Sequence, residues 1–317
     1  MPKLLISTSS FDIAHNQVLQ SLQNQGFEFV LNPHGRKLKE AEILELLNDS
    51  DIVGMIAGVE PLSRKVLTSA KSLKVISRCG IGTDSVDLIA AAELDIPVHI
   101  TPSAPVIAVA ELTVSLILST LRRTSEADHN LRKGNWKPLM GKLLAAQVIG
   151  LVGYGRVGKR VGQLIGAFGA QTIAYDLVCD SLFADTICLP SLDELLERSS
   201  VITLHIPYSQ ENHHFVNRDF IHKMQSGSIL VNASRGGLID EEALYEALVS
   251  GHLAGAALDT FEEEPYTGKL LSLPQVVLTP HMGSYAKEAR IQMEQEAAQN
   301  LLDSLVNMGL AKELITS

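Results

Sequence analysis

Cysteine is scarce in this chain: three in 317 residues, at Cys79, Cys179 and Cys188. The number is odd and no pair has CxxC spacing, which speaks against a disulfide framework or a zinc site. Reduced, buried thiols in a cytoplasmic protein are expected instead. Positive charge is also in deficit, since 26 Lys and Arg stand against 36 Asp and Glu, a formal charge of −10. Non-specific nucleic-acid binding relies on Lys and Arg neutralising phosphates, so no nucleic-acid partner is expected. An anionic substrate would need positive charge supplied locally. Long apolar runs are missing as well. The start, MPKLLISTSS, offers only three apolar residues after Lys3 and does not read as a signal peptide. The most apolar helical stretch, Val109 to Leu121, is broken by Glu111, Thr113, Ser115, Ser119 and Thr120. It falls short of the roughly 20 predominantly apolar residues that cross a bilayer, so no membrane partner is expected.

What is present looks ordinary: 46% hydrophobic and 20% charged residues, as in a soluble globular protein. Short β-type runs alternate with helical segments. Strands are predicted at Lys3–Thr8, Phe27–Leu31, Asp51–Ile56 and Lys74–Ser77, with helices at Ile13–Gln25, Lys39–Leu47 and Ser63–Ser69 between them. After a proline cluster at Pro97, Pro102 and Pro105, one long helix is predicted over Ile107 to Lys133. A second series follows, with strands at Val148–Val152, Thr172–Tyr175, Val201–Leu204, Ser228–Asn232, Gly255–Leu258 and Val276–Thr279. Its helices fall at Gly158–Ala167, Leu192–Arg198, Arg218–Met224 and Glu241–Ser250, and a last helix runs from Lys287 to Asn307. The rhythm predicts two α/β domains with doubly wound parallel sheets. Residues 1–99 form the first, 100–285 the second, and 286–317 return to the first.

Residues 148–158 read VIGLVGYGRVG, in which Gly153, Gly155 and Gly158 fit GxGxxG. The motif alone is weak, but here an apolar strand precedes it and a helix-compatible segment follows. In that setting Gly153 permits the tight turn, Gly155 lets backbone approach a pyrophosphate, and Gly158 lets the helix pack against the strand. The helix N-terminus then offers free N–H groups to phosphate. A second strand ends at Asp176, 18 residues after Gly158, where a carboxylate accepts hydrogen bonds from ribose hydroxyls. Leu177, Val178 and Cys179 bring no cation for a 2′-phosphate, which favours NAD over NADP.

Three more segments sit at predicted strand ends: ILVNASRGGLID (229–240), AALDTFEEEP (256–265) and LTPHMGS (278–284). Ligands in open parallel sheets bind outside the carboxyl ends of strands, so Arg235, Glu264 and His281 are predicted to face one crevice. Arg235 offers a planar fork that matches a carboxylate, His281 takes a proton near neutral pH, and Glu264 orients the imidazole. Beside a nicotinamide, that set implies hydride transfer on a small 2-hydroxy or 2-keto acid. Each residue has a plainer reading: Arg235 paired with Asp240, Glu264 within the solvated run Glu262–Glu263–Glu264, and His281 bonded within its own loop. The adjacent His213 and His214 are read as exposed loop residues, and no metal site is expected.

These motifs resemble the D-2-hydroxyacid dehydrogenase family, specifically its phosphoglycerate dehydrogenase-like branch. The resemblance rests on SRCGIGTDSVDL (77–88), AVAEL (108–112), LVGYGRVG (151–158), AYD (174–176), LHIP (204–207), NASRGGLIDEEAL (232–244), AALDTFEEEP (256–265) and TPHMGS (279–284). It implies a Rossmann-type NAD domain beside a flavodoxin-like substrate or lid domain. It assigns Arg235 to the substrate carboxylate and carbonyl, His281 to acid–base work and Glu264 to orienting it. Around the cofactor it places Arg156 and Val157 at the pyrophosphate, Asp176 on the ribose, and Ile206 and Pro207 by the adenosine. Asp259 would hold the carboxamide, with Ala233, Ser234, Gly283 and Ser284 alongside. Cys79, Gly80, Ile81 and Gly82 would present backbone N–H groups to the substrate, with Ile81 near the nicotinamide. A homodimer through the helix after Pro105 is implied as well. Pro105 and Ser85 stand where the branch usually has Asn, which bears on substrate preference. Longer members carry a C-terminal regulatory domain, which is not expected here, and neither is feedback control by serine through one. Glyoxylate, hydroxypyruvate or other 2-ketoacid reduction is the nearest alternative activity. An NAD-sensing corepressor is the alternative from another class.

Overall fold

The computed structural model describes residues 1–48, 51–178 and 186–314. Two compact units emerge. The first comprises Met1–Pro105 and resumes at Ala286; the second is Val106–Tyr285. The first contains β1 (Lys3–Ile6), α1 (Gln17–Asn24), β2 (Glu28–Leu31), α2 (Glu40–Leu47), β3 (Ile52–Ala57), α3 (Arg64–Ser69), β4 (Val75–Arg78), α4 (Leu88–Glu93) and β5 (Val98–His99). The second opens with α5 (Pro105–Arg122) and α6 (Thr124–Arg132), then β6 (Val148–Val152), α7 (Arg156–Ala167), β7 (Gln171–Tyr175) and β8 (Ile187–Cys188). It continues with α8 (Leu192–Arg198), β9 (Val201–Leu204), α9 (Arg218–Lys223), β10 (Ser228–Asn232), α10 (Glu241–Val249), β11 (Leu253–Leu258) and β12 (Val276–Leu278). The closing helix, α11 (Lys287–Asn307), belongs to the first unit.

Both sheets are wholly parallel. The first has the order β2-β1-β3-β4-β5, the flavodoxin-like winding, and the second the order β12-β11-β10-β9-β6-β7-β8. Counted from its own first strand, the second sheet reads 3-2-1-4-5-6-7, a Rossmann winding with one extra strand. Parallel strands are covered on both faces, which is why their sequences are continuous apolar runs rather than alternating ones. In the first unit α11 lays Met293, Ala297, Leu301 and Leu305 against Leu4, Ile6 and Val75 on one face. The Ser77 hydroxyl donates to the Ala297 carbonyl at 2.7 Å and fixes that helix along the sheet. Short polar caps start several helices, among them Asn16, Ser63, Asp87, Asn217 and Asp240, each accepting from an N–H one turn in.

α4 and β8 have no counterpart in the sequence expectations, and three further features differ from them. The single helix predicted from Ile107 to Lys133 is two, because Arg123 adopts the left-handed region at φ 53°. Its guanidinium grips Glu126 through Nε and Nη2, at 2.9 and 2.8 Å. The chain then returns beneath the end of α5, where Lys142 N–H donates to the Leu121 carbonyl at 2.9 Å. No residue of α6 is buried, so no apolar stripe continues through the break. The expectation of three reduced thiols fails at Cys188, which is disulfide-bonded; Cys79 is a free, buried thiol and Cys179 lies outside the described residues. Finally, α5 is the one helix among the described residues long and apolar enough to cross a membrane. Here Ala110, Val114, Ile117 and Leu121 are buried against Ile149, Leu151 and Val231 of the second sheet.

Leu301 is fully buried between α11 and the first sheet. Leu301→Ala should therefore cost about 2–5 kcal/mol of first-unit stability by chemical denaturation. Dinucleotide affinity, a property of the second unit, should stay within about twofold, since distant sites act almost independently.

Candidate active site

In the second sheet the last residues of six strands are in register. Tyr175 pairs with Val152, Val152 with Leu204, Leu204 with Asn232, Asn232 with Leu258, and Leu258 with Leu278. The six loops that follow therefore leave the sheet from one line. They carry Asp176, Gly153, Ile206 with Pro207, Arg235, Glu264 and His281, so one edge receives every second-unit residue singled out in the sequence. The order of the sheet reverses between β6 and β9, the switch point at which this architecture leaves room for a ligand.

At that point the glycine turn has the geometry that NAD requires. Gly153 sits at φ 95°, and a Cβ there would meet the His205 backbone. A Cβ on Gly158 would overlap the Gly153 carbonyl, so α7 packs onto the turn only without one. Above Gly155 there is open space. Gly155 caps α7 without a side-chain hydrogen bond, so the first turn of the helix presents backbone N–H groups, those of Val157 and Gly158 among them, toward a pyrophosphate. Asp176 follows β7 and is tied to the turn: Tyr154 N–H donates to Oδ2 at 2.6 Å and Val178 N–H to Oδ1 at 2.9 Å. Leu177 and Val178 are exposed and offer no cation for a 2′-phosphate.

The Arg235 turn is organised by a residue without an assigned role in the sequence reading. Asn232, fully buried at the end of β10, donates from Nδ2 to the Arg235 carbonyl at 2.8 Å and accepts from Ser234 N–H at 2.9 Å. The Ser234 hydroxyl donates to the Leu204 carbonyl at 2.6 Å, joining the turn to the neighbouring strand end. Arg235 Nη1 donates to the Ser234 carbonyl at 2.8 Å. Asp240, the partner in the plainer reading, uses its Oδ1 to cap α10 at Glu242 and Ala243. Next to Arg235, Gly236 passes so close to Phe261 and Glu262 that any side chain there would collide with their backbone. This crossing locks the Arg235 turn to the acid loop.

Across that crossing stands the acid–base pair. His281 Nδ1 lies 3.0 and 2.9 Å from the two oxygens of Glu264, and Phe261 N–H donates to Glu264 Oε1 at 3.2 Å. The carboxylate thus fixes the Nδ1 edge of the ring and leaves Nε2 for a substrate. Both side chains are partly exposed. His281 itself is held at φ 52°, an uncommon backbone for a side chain of this kind. Asp259 supports that conformation. Fully buried, it accepts from the Thr279 hydroxyl at 2.6 Å and Met282 N–H at 2.8 Å on Oδ1, and from Gly283 N–H at 2.8 Å on Oδ2. Burial pushes its carboxyl above the ordinary aspartate value, and those donors oppose the shift. Its oxygens are engaged by the loop that carries His281. Ala233 is buried beside Ser234, and Ser284 closes the same loop.

His205 also went unassigned. It follows β9, its backbone lies against Gly153, and its Nε2 is 3.2 Å from the Thr203 hydroxyl. Nδ1 is sealed from solvent and has no hydrogen-bond partner among the described residues. Desolvation pulls this imidazole down to about 4. Cys79, Gly80, Ile81 and Gly82 belong to the first unit, just after β4. There Gly80 at φ 147° leaves room for the Arg78 guanidinium, and Cys79 N–H is spent on the Ala57 carbonyl at 2.9 Å.

Comparison with known proteins agrees with this geometry. Residues 114–283 match the family model of the D-isomer specific 2-hydroxyacid dehydrogenase NAD binding domain. A D-3-phosphoglycerate dehydrogenase of Methanocaldococcus jannaschii is 37% identical over 99% of this chain, which spans 58% of that relative's length. A hydroxypyruvate reductase of Thermotoga maritima is also 37% identical, over 93% of this chain and 96% of the relative. The crystal structure of the TT0316 protein from Thermus thermophilus superposes with a TM-score of 0.87 at 37% identity, covering 96% of this chain and 97% of that one.

Two outcomes follow from the site. Gly236→Ala must push the acid loop away from the Arg235 turn; turnover should fall at least about tenfold, with a stability loss of about 1–3 kcal/mol by denaturation. His205, held neutral in the folded chain, is protonated first in the unfolded one. Its stabilisation is complete above pH 6.5 and is lost as pH falls toward 4. Across that window urea unfolding should show a loss of roughly 1–3 kcal/mol that His205→Gln flattens.

Proposed function

Given that the chain belongs to the D-isomer specific 2-hydroxyacid dehydrogenase family, we propose that it interconverts a D-2-hydroxy acid and its 2-keto acid, with D-3-phosphoglycerate as the first candidate substrate. It is an NAD-dependent oxidoreductase. The observation that carries the reading is the His281–Glu264 pair standing on the same strand-end line as the glycine turn and Arg235. NAD, once bound, supplies the acceptor for the C2 hydride. The chain's own groups do the rest. His281 Nε2 removes the hydroxyl proton, and Glu264 holds the ring and stabilises the imidazolium that forms. Arg235 steadies the substrate carboxylate and the oxygen that becomes the ketone. In reduction the same imidazole returns the proton.

A second reading, reduction of hydroxypyruvate or glyoxylate, is favoured by the state of the first unit's cations. A phosphorylated substrate would need a cationic side chain from the first unit or a partner subunit, with Arg36, Lys37, Lys39, Arg64 and Arg78 as the candidates in this chain. Arg36 is already bidentate on Glu42, Arg64 is paired with Glu93, and Arg78 is buried and donates to the Cys79 carbonyl. We also propose a homodimer, supported by the exposed Leu131, Trp136, Met140 and Leu143 after α5.

Loss of NADH absorbance with 3-phosphohydroxypyruvate, hydroxypyruvate and glyoxylate tests the substrate. At least one should turn over; tight NADH binding with no turnover on any of them would instead favour a dinucleotide-sensing binding protein. In His281→Ala, kcat should drop about 10²–10⁴-fold while the NADH Kd stays within about twofold. Turnover at the unmodified rate would remove His281 from the mechanism.

A further inference from the structure

On the loop between β9 and α9, two imidazoles converge on a carboxylate from the acid loop. His214 Nε2 is 3.1 Å from Glu262 Oε1, and His213 Nε2 is 3.6 Å from the same oxygen. All three ligating atoms lie within 4.8 Å of one another. We infer that His213, His214 and Glu262 form a surface site for a divalent transition-metal ion of the zinc class.

The spacing fits such an ion. Donor atoms about 2.1 Å from a tetrahedral centre lie about 3.4 Å apart, between the two distances seen here. The donor set also fits, because two imidazoles and one carboxylate suit a borderline cation and leave a position open for water. Of the two nitrogens only the His214 one is close enough to hydrogen-bond Glu262; a divalent ion engages all three groups together. Backbone geometry points the same way. Successive side chains of extended chain face opposite directions, yet these two rings stack at 3.8 Å with a 25° tilt. They do so because His214 adopts φ 53°, a conformation that costs a non-glycine residue energy and marks functional sites. The turn is pinned by His214 N–H donating to the Gly237 carbonyl at 2.9 Å. Tyr208 Oη lies 3.3 Å from His213 Nδ1; by accepting its proton it leaves Nε2 with a free lone pair, as the outer partner of a metal-bound histidine does. The rings are about one-third exposed, so an ion reaches them and each can turn slightly to close on it. The ion would tie the β9–α9 loop to the acid loop, two residues before Glu264.

The test is zinc titration of the tag-free, chelator-stripped full chain against a chromophoric chelator, with NADH affinity measured in parallel. One zinc per chain is expected. His213→Ala and Glu262→Gln should each weaken binding at least about tenfold and leave the NADH Kd unchanged. Because His281 and Glu264 are a second imidazole–carboxylate pair, His281→Gln is the control, and it should keep full zinc affinity. Unaltered affinity in His213→Ala and Glu262→Gln, loss of zinc in His281→Gln, or no binding by the unsubstituted chain would each overturn the site.

Discussion

Backbone hydrogen bonds between parallel strands place Tyr175, Val152, Leu204, Asn232, Leu258 and Leu278 side by side, and the chemistry of the second unit starts from that row. A slip of one residue would turn every apolar side chain of a strand to the opposite face. Both faces are packed, with Leu230 and Leu258 in one core and Ile229, Val231 and Ala257 in the other, so the register is held from two sides. Each loop then leaves its strand with the same starting point. Three of them are tied back by the same device, a short carboxylate or amide at the strand end. Asp176 takes Tyr154 N–H, Asn232 takes Ser234 N–H, and Asp259 takes two N–H groups of the His281 loop. Such side chains compete well for nearby backbone donors, which suits turns rather than strands.

That arrangement has costs, and they sit where the chemistry is. Asp259 is a carboxylate with no exposed surface, tolerated because three donors surround it. His281 occupies a left-handed backbone conformation that its environment must impose. The two facts belong together: the donors that relieve Asp259 are the groups that hold the His281 loop in shape. Glu264 then needs only to orient a ring whose backbone is already placed. Functional residues in this unit are therefore rigid through their neighbours rather than through their own packing.

How much of this was legible in the sequence depends on range. The glycine turn is local, a strand, three glycines and a helix within eleven residues, so its order along the chain is its geometry. Arg235, Glu264 and His281 were readable because strand ends of a parallel sheet share an edge whatever lies between them. The role of Asn232 was missed although its motif was noted, since nothing in NASRGG says which way the amide faces. Arg123 was missed because a left-handed break usually shows as glycine, and an arginine held by Glu126 leaves no such mark. His213, His214 and Glu262 were passed over for a different reason. Metal spacing is sought within short segments, whereas His214 and Glu262 are 48 residues apart and meet only because their loops leave neighbouring parts of one edge. Cys188 carried no signal of pairing, because the count of cysteines was odd.

The contact of Gly236 with the backbone of Phe261 and Glu262 bears on how this protein can vary. Surface loops normally accept insertions and deletions, since little depends on their length. Here two loops touch main chain to main chain, and each is also fixed at its strand end. Adding one residue to either would slide the crossing along the partner and shift the guanidinium relative to the imidazole. Change in these two loops is thus confined to replacing side chains at constant length, and new specificity must come from segments that do not take part in the crossing.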